Sequence, residues 1–472
     1  MSQAVTSFDV LVVGGGPGGY VAALRAAQLG QRVALVEREH LGGICLNWGC
    51  IPTKALLHAA DTLRRIAHAG ELGIQVAQPT VDFGQVVARS RAVSQRLNGG
   101  VTHLLKKAKV PVFMGTASLD KLAQGLHRLR VTPAAGDEQL LSAKHVVLAT
   151  GARARALPGL PFDGERVWSY RDALVAQAVP KTLLVIGAGA IGMEFACFYA
   201  AMGTQVTVVE AQPQLLPSAD ADVAAFVQQA VSKDGIQVHT STTVASARVG
   251  EGGVAVELQS AQDRTRIEAE RVLVAIGLVG NTEDLGLEGT RVQVERGQIA
   301  VDGWGATAEP GIHAIGDVTG APMLAHRASH QGIACAERLA GLHAGEPAHA
   351  HAVPACVYSH PPSASVGLTE AQAKATGKPL KVGRFPLEAN GKAIAINEAS
   401  GFVKTIFDAG TGELLGAHLV GAEATELIHG FTLALTLEAT EEELIATVFP
   451  HPTLSEAMHE SVLAAFERAL HI

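Results

Sequence analysis

One local pattern occurs twice in this chain. An apolar run, Phe8 to Val13, leads into Gly14-Gly15-Gly16-Pro17-Gly18-Gly19. A helical stretch follows to about Leu29, and a second apolar run, Arg32 to Val36, stops at Glu37. Far downstream, Thr182 to Ile186 leads into Gly187-Ala188-Gly189-Ala190-Ile191-Gly192. A helical stretch then runs to about Met202, and Gln205 to Val209 stops at Glu210. The interval from first glycine to acid is identical, 14 to 37 and 187 to 210. A glycine turn between a buried strand and a helix lets the backbone bend tightly and approach a pyrophosphate. The helix N-terminus behind it offers unpaired N–H groups and a partial positive charge, and the acid accepts hydrogen bonds from ribose hydroxyls. One copy is weak evidence; two with matching spacing predict two dinucleotide sites, one at Gly14, Gly16, Gly19 and Glu37, the other at Gly187, Gly189, Gly192 and Glu210. A carboxylate at 210 repels the 2′-phosphate of NADP. Ala211-Gln212-Pro213 supplies no arginine, so the second site favours NAD.

The bulk numbers agree. At 472 residues the chain predicts two to four domains. Apolar residues make up 48% and the mean hydropathy is slightly positive, as sheets covered on both faces require. A net charge of −8 argues against a nucleic-acid or anionic-membrane surface. The first residues carry no basic region followed by an apolar signal core, and no apolar stretch reaches the roughly 18 residues of a membrane span. The expectation is a soluble, cytoplasmic protein. Five cysteines in so long a chain do not make a disulfide scaffold; Cys197, Cys335 and Cys356, in apolar surroundings, read as buried hydrophobes.

Other landmarks sit between and after the repeats. Lys144 to Leu148 is a strand ending in Ala149-Thr150-Gly151-Ala152. Arg271 to Ile276 is another, ending at Gly277. Both suit strand-to-loop crossings over a nucleotide. Ile312 to Ile315 leads into Gly316-Asp317, an acid placed either to meet a cofactor hydroxyl or simply to form a turn. From about Pro354 short stretches such as Gly401 to Phe407 and Leu414 to Val420 read as antiparallel strands. Helices are expected over Glu423 to Leu437 and Thr453 to Leu470, and a linker over Leu342 to His351. The expected domains are 1–150, 151–278, 279–348 and 349–472. The fold class is α/β, with two Rossmann-like dinucleotide-binding domains and a C-terminal α+β dimerisation domain.

Close behind the first glycine loop stand Cys45 and Cys50, in Gly42-Gly43-Ile44-Cys45-Leu46-Asn47-Trp48-Gly49-Cys50-Ile51-Pro52-Thr53-Lys54. In a regular helix positions five apart have Cα atoms about 8–9 Å apart, whereas a disulfide needs about 4.4–6.8 Å. A bridge therefore requires a distorted first turn, which Gly49 eases. Pro52 suits the first turn of the following helix. Lys54 shares a helix face with Cys50, where its charge favours the thiolate. The plainer alternative is two unbridged cysteines and a surface lysine. Zinc is disfavoured, because no second cysteine pair exists.

Near the C-terminus, prolines flank His451 in Phe449-Pro450-His451-Pro452-Thr453-Leu454-Ser455-Glu456. Imidazole has a suitable pKa to make a thiolate from a dithiol substrate, and Glu456 could orient it. Thr453 to Glu456 is also a capping box, so Glu456 could merely cap a helix. Glu194, early in its helix, could complement the helix dipole.

These segments, with Ala314-Ile315-Gly316-Asp317-Val318 and Pro322-Met323-Leu324-Ala325-His326, resemble the pyridine nucleotide–disulfide oxidoreductases over essentially the whole chain. The resemblance implies a redox disulfide between Cys45 and Cys50, with Cys45 exchanging with substrate and Cys50 facing the flavin. It implies FAD on the first glycine loop with Glu37, and NAD on the second with Glu210. Lys54 would lie near the reactive flavin nitrogen and pair with Glu194. Gly115, Thr150, Gly151, Asp317, Met323, Ala325 and His326 would contact FAD, and Val244 and Gly277 would contact NAD. The base, His451 with Glu456, would come from the partner subunit of a homodimer. The substrate would be dihydrolipoamide on lipoyl domains of 2-oxo acid dehydrogenase or glycine cleavage complexes. Two departures stand out: Leu278-Val279-Gly280-Asn281 replaces an arginine- and proline-containing loop, and Phe449 replaces a histidine. Glutathione-type reductases fit less well because they prefer NADP. Mercuric and large thioredoxin reductases add a redox pair near the C-terminus, whereas the last cysteine here is Cys356. A non-catalytic flavoprotein redox sensor is the remaining alternative.

Overall fold

The computed structural model describes residues 5–123, 125–342 and 352–472, apart from the side chains of 121–123. The expected linker therefore lies almost wholly outside the described residues. The chain divides into two compact units. The first comprises Met1–Leu56, Asp82–Arg155 and Gly277–Ala348; the second comprises Leu57–Val81, Ala156–Ile276 and His349–Ile472.

The first unit is built on a seven-stranded sheet. Val112–Met114, Val33–Glu37, Thr6–Val13 and Gln139–Leu148 run parallel, and Ile312–Ala314 joins them beside Gln139–Leu148. Leu126–Thr132 and Thr116–Ala123 extend the other edge antiparallel. Every residue of Val33–Glu37 is buried, because helices cover a parallel sheet on both faces and a continuous apolar run is what such a strand needs. The helix Pro17–Gln28 presses closely on Ala325–Leu339. The contact is close because a side chain at Gly332 would overlap the carbonyl of Gly18. A two-stranded ribbon, Ala152–Ala154 against Leu278–Gly280, stands where the chain leaves this unit and returns to it.

The second unit holds two sheets of different character and a three-stranded antiparallel meander, Thr243–Gly250, Gly253–Gln259 and Arg264–Ala269. One sheet is parallel, in the order Gln237–His239, Gln205–Val209, Thr182–Ile186, Arg271–Val274, Val167–Trp168. The other is antiparallel and belongs to the C-terminal segment, in the order Ala355–Val357, Ser363–Gly367, Leu414–Val420, Phe402–Asp408, Leu380–Pro386. It packs with the helices Ala424–Thr436 and Glu456–Ala465 around a core that includes Phe385, Phe407 and Phe431. Phe402–Asp408 and Leu414–Val420 are buried at every position, so their polar residues do not mark a solvated face. Lys404 is 3% exposed and ion-paired to Asp220, Asp222 and Glu370. These partners satisfy a charge that would otherwise be too costly to bury. The last helix is shorter than the expected 453–470, spanning Glu456–Ala465.

Candidate active site

The two glycine loops have nearly the same geometry. Gly14 has φ +104° and Gly187 +101°, values that L side chains rarely adopt. A Cβ at Gly14 would overlap Ala149 O, and one at Gly187 would overlap Ala275 O. One at Gly19 would overlap Gly14 O, and one at Gly192 would overlap Gly187 O. These four glycines fix the turn and its tight fit to the strand and helix. The middle glycines face open space: nothing lies within 4 Å of a Cβ built at Gly189, and only Gly43 Cα, at 3.9 Å, at Gly16. Each heads a 12-residue helix with no side-chain cap and no acid in its first turn. The exposed N–H groups and dipole are thus left for an anion.

The acids are set with the same symmetry. Glu37 Oε2 accepts the Gly15 N–H at 2.7 Å and Oε1 the Glu39 N–H at 2.8 Å. Glu210 Oε2 accepts the Ala188 N–H at 2.7 Å and Oε1 the Gln212 N–H at 2.9 Å. Both residues are 8% exposed. Each carboxylate is locked to its own loop, and its remaining lone pairs can accept ribose hydroxyls. Open cradle, helix N-terminus and fixed carboxylate fit a dinucleotide at both places.

Cys45 and Cys50 do not share one distorted helical turn. Cys45 belongs to the short helix Gly43–Asn47, and Cys50 begins Cys50–Ala67. Trp48 and Gly49 form the break, with the Trp48 N–H on Ile44 O at 2.7 Å. Breaking the helix removes the spacing problem; the two cysteines are unbridged thiols here, not the expected disulfide, and their side chains hydrogen-bond each other. That hydrogen bond and burial push the Cys45 thiol up; the Lys54 ammonium pulls it down. Lys54 therefore acts on Cys45. Pro52 falls in the first turn of its helix, as expected. Asp317 lies in the 3₁₀ turn Gly316–Thr319 with its pKa raised by burial, while the Arg327 guanidinium pulls it back. Arg327 itself ties down the carbonyls of Gly320 and Pro322. Met323 and Ala325 are half-buried and His326 is exposed, around the start of Ala325–Leu339.

The remaining expected residues have clear places. Gly115, at φ +159°, closes against Thr132 O, and its N–H donates to Glu37 O at 2.8 Å. Thr150 Oγ1 donates to Asn281 O at 2.7 Å, Asn281 Nδ2 returns to Thr150 O at 2.9 Å, and the Asn281 N–H reaches Gly151 O at 2.9 Å. Asn281 is thus a clasp on the turn that the sequence showed only as part of a divergent loop. Gly277 accepts the Arg155 N–H at 3.0 Å. Val244 packs on the hydrophobic core of the second unit at a strand irregularity. Glu194 lies past the first turn of its helix, 5% exposed, and accepts the Tyr358 N–H at 3.1 Å. Its place beyond the first turn takes it out of dipole compensation.

His451 is 77% exposed, with Nδ1 2.9 Å from Glu456 Oε1. A carboxylate only accepts, so Nδ1 carries the proton and Nε2 presents its lone pair outward. Burial raises the Glu456 pKa, but the Thr453 N–H, at 2.9 Å from Oε2, and His451 outweigh it and leave the carboxyl below its usual value. Only half of the capping box forms: the Thr453 hydroxyl donates to Pro450 O instead of taking the Glu456 N–H. Glu456 therefore braces the loop and the imidazole together. Cys45 belongs to the first unit and His451 to the second.

The model of the pyridine nucleotide-disulphide oxidoreductase family matches residues 8–332, and that of its dimerisation domain matches residues 353–462. The chain belongs to the pyridine nucleotide–disulphide oxidoreductases. Similar members of this family include the dihydrolipoyl dehydrogenase of Zymomonas mobilis, 52% identical over 98% of this chain and 99% of that one. That of Rhizobium etli is 50% identical with the same coverage. Among solved structures, LpdA from Mycobacterium tuberculosis superposes with a TM-score of 0.90 at 31% identity, over 97% of this chain and 99% of that one. Among the described residues, no helix is long and apolar enough to cross a membrane, and no group of three or more His, Cys, Asp or Glu residues is arranged to hold a metal ion.

Proposed function

We infer that this chain oxidises protein-bound dihydrolipoamide to lipoamide and reduces NAD+, with FAD as its resident cofactor, the activity for which its relatives are named. The observation that carries this reading is the hydrogen-bonded Cys45–Cys50 pair within the segment that follows a dinucleotide cradle. FAD would be held by Gly14, Gly16, Gly19 and Glu37, and NAD+ by Gly187, Gly189, Gly192 and Glu210. Bound FAD supplies the two-electron link between a dithiol and NAD+.

The chain's own residues do the rest. In the oxidised enzyme Cys45 and Cys50 form a disulfide. His451 Nε2 takes the proton of one substrate thiol, and the thiolate attacks Cys45 Sγ, with Cys50 leaving as the thiolate. The second substrate thiol closes on the mixed disulfide, expelling Cys45 and releasing lipoamide. Lys54 offsets negative charge on the sulfurs. Glu456 holds the imidazole in the tautomer that can accept a proton. The dimerisation domain supports a homodimer, and in it His451 would serve the partner's cysteines. Lipoyl domains of cytoplasmic 2-oxo acid dehydrogenase or glycine cleavage complexes are the partners that this activity requires.

The test is turnover of dihydrolipoamide with NAD+ and NADP+. NAD+ is expected to be preferred, and His451→Gln to cost about 10²–10⁴-fold while NADH still bleaches the flavin. Near-normal turnover by that variant contradicts the assignment of the base.

A further inference from the structure

The break between the two cysteine-bearing helices is held from outside. The helix Phe83–Lys107 presents Arg91, Ser94 and Asn98 along one face, at the i, i+3, i+7 spacing of a single stripe. Arg91 Nη1 donates to Asn47 O at 2.6 Å, and its guanidinium lies over the Trp48 ring at 5.1 Å from the centroid. Arg91 Nη2 is steadied by Ser94 Oγ at 3.2 Å, and the Ser94 hydroxyl donates to Ser90 O at 3.2 Å. Asn98 Nδ2 donates to Leu41 O at 2.7 Å and reaches Asn47 Oδ1 at 3.4 Å. Asn47 Nδ2 completes the lattice on Leu41 O and Gly43 O, both at 2.9 Å. Asn47 and Trp48 are the residues at which one helix stops. Asn47 O is one of the terminal carbonyls that a helix end leaves without an internal partner, and a cation there is doubly suited to it.

We propose that Arg91 is a positioning residue for the redox pair: by clamping the Asn47–Trp48 junction it sets the mutual approach of Cys45 and Cys50, and so the stability of their disulfide. This rests on the functional reading above. Arg91 meets the junction through its hydrogen bond to Asn47 O and its stack on Trp48, so its influence runs through geometry. A clamped junction keeps the two sulfurs at high effective concentration; a loosened one lets them drift apart. A lysine could keep the charge but not the planar fork and the stacking.

The experiment is a redox titration of the FAD-loaded enzyme in mixtures of reduced and oxidised glutathione, quenched with an alkylating reagent and read by mass. Each oxidised glutathione takes two electrons and two protons from the cysteine pair and becomes two glutathione thiols. Arg91→Met is expected to make the Cys45–Cys50 disulfide about tenfold easier to reduce, a shift of about 30 mV. Arg91→Lys should recover little of it. If the wild-type pair never bridges, the functional reading fails. If the wild type bridges and Arg91→Met titrates with it, this inference alone fails. Full rescue by Arg91→Lys would assign the effect to charge and also overturn it. Should Arg91→Met not fold, Trp48→Leu removes the stacking surface alone and is expected to move the equilibrium in the same direction; an unmoved titration there overturns the clamp.

Discussion

The two glycine loops are almost superimposable in backbone angles, yet only one is tied to chemistry. At the second loop Leu216 donates its N–H to Ala188 O at 2.8 Å, and the neighbouring chain is a plain connection. At the first, Gly42 donates to Gly15 O at 2.8 Å, and a Cβ at Gly43 would come within 2.7 Å of Gly16 Cα. The segment carrying Cys45 and Cys50 is thus fastened directly to the phosphate loop. On the proposed reading the same device serves twice, once beside a redox pair and once as a simple dock. The difference lies in what the chain does about five residues after the acid.

That contrast can be broken outright by giving each loop a side chain. Gly14→Ala should abolish FAD retention, because the Cβ meets Ala149 O at a positive φ, and the purified protein should be colourless and inactive. Gly187→Ala should leave the flavin in place and abolish only NAD-dependent turnover. Equal flavin loss in both would mean that the loops are not specialised. A milder probe targets the acids. Glutamine at 37 or 210 offers one accepting oxygen where two backbone N–H groups now bind, leaving a donor unmet at about 1–3 kcal/mol. Glu210→Gln should raise the KM for NAD+ about tenfold, and Glu37→Gln should instead weaken FAD retention. An added arginine beside residue 210 should shift the ratio toward NADP+, and an unchanged ratio would count against the ribose role.

The smallest expected effect is on pH. The Glu456 pKa is depressed in the fold, from a usual value of 4.5. Its contribution is therefore present above that value and lost as pH falls through the depressed one. Unfolding measured below pH 5 should show a slope that Glu456→Gln reduces. Identical slopes would contradict the brace on His451.

Much of this architecture is legible in the amino-acid sequence. Glycine spacing and the acids Glu37 and Glu210 encode local backbone geometry, and local geometry is what sequence patterns report. The cysteine pair is legible as chemistry but not as shape: five positions suggest a bent helix, whereas Trp48 and Gly49 divide it into two. The polar residues of Phe402–Asp408 hide a strand buried on both faces, because Lys404 finds its carboxylates at Asp220, Asp222 and Glu370, 34 or more positions away. Arg91 and Asn281 are silent for the same reason. Each is a single polar residue whose partner is distant in sequence, and no periodicity announces such a contact.

The central claim, that Cys45 and Cys50 exchange electrons with a dithiol, is tested most directly by alkylating the air-oxidised enzyme before and after one equivalent of dihydrolipoamide and mapping the labelled peptides. Both cysteines should resist label before addition and take it afterwards, with Cys197, Cys335 and Cys356 unchanged. Label on Cys45 and Cys50 before any reductant, or none after it, would contradict the account.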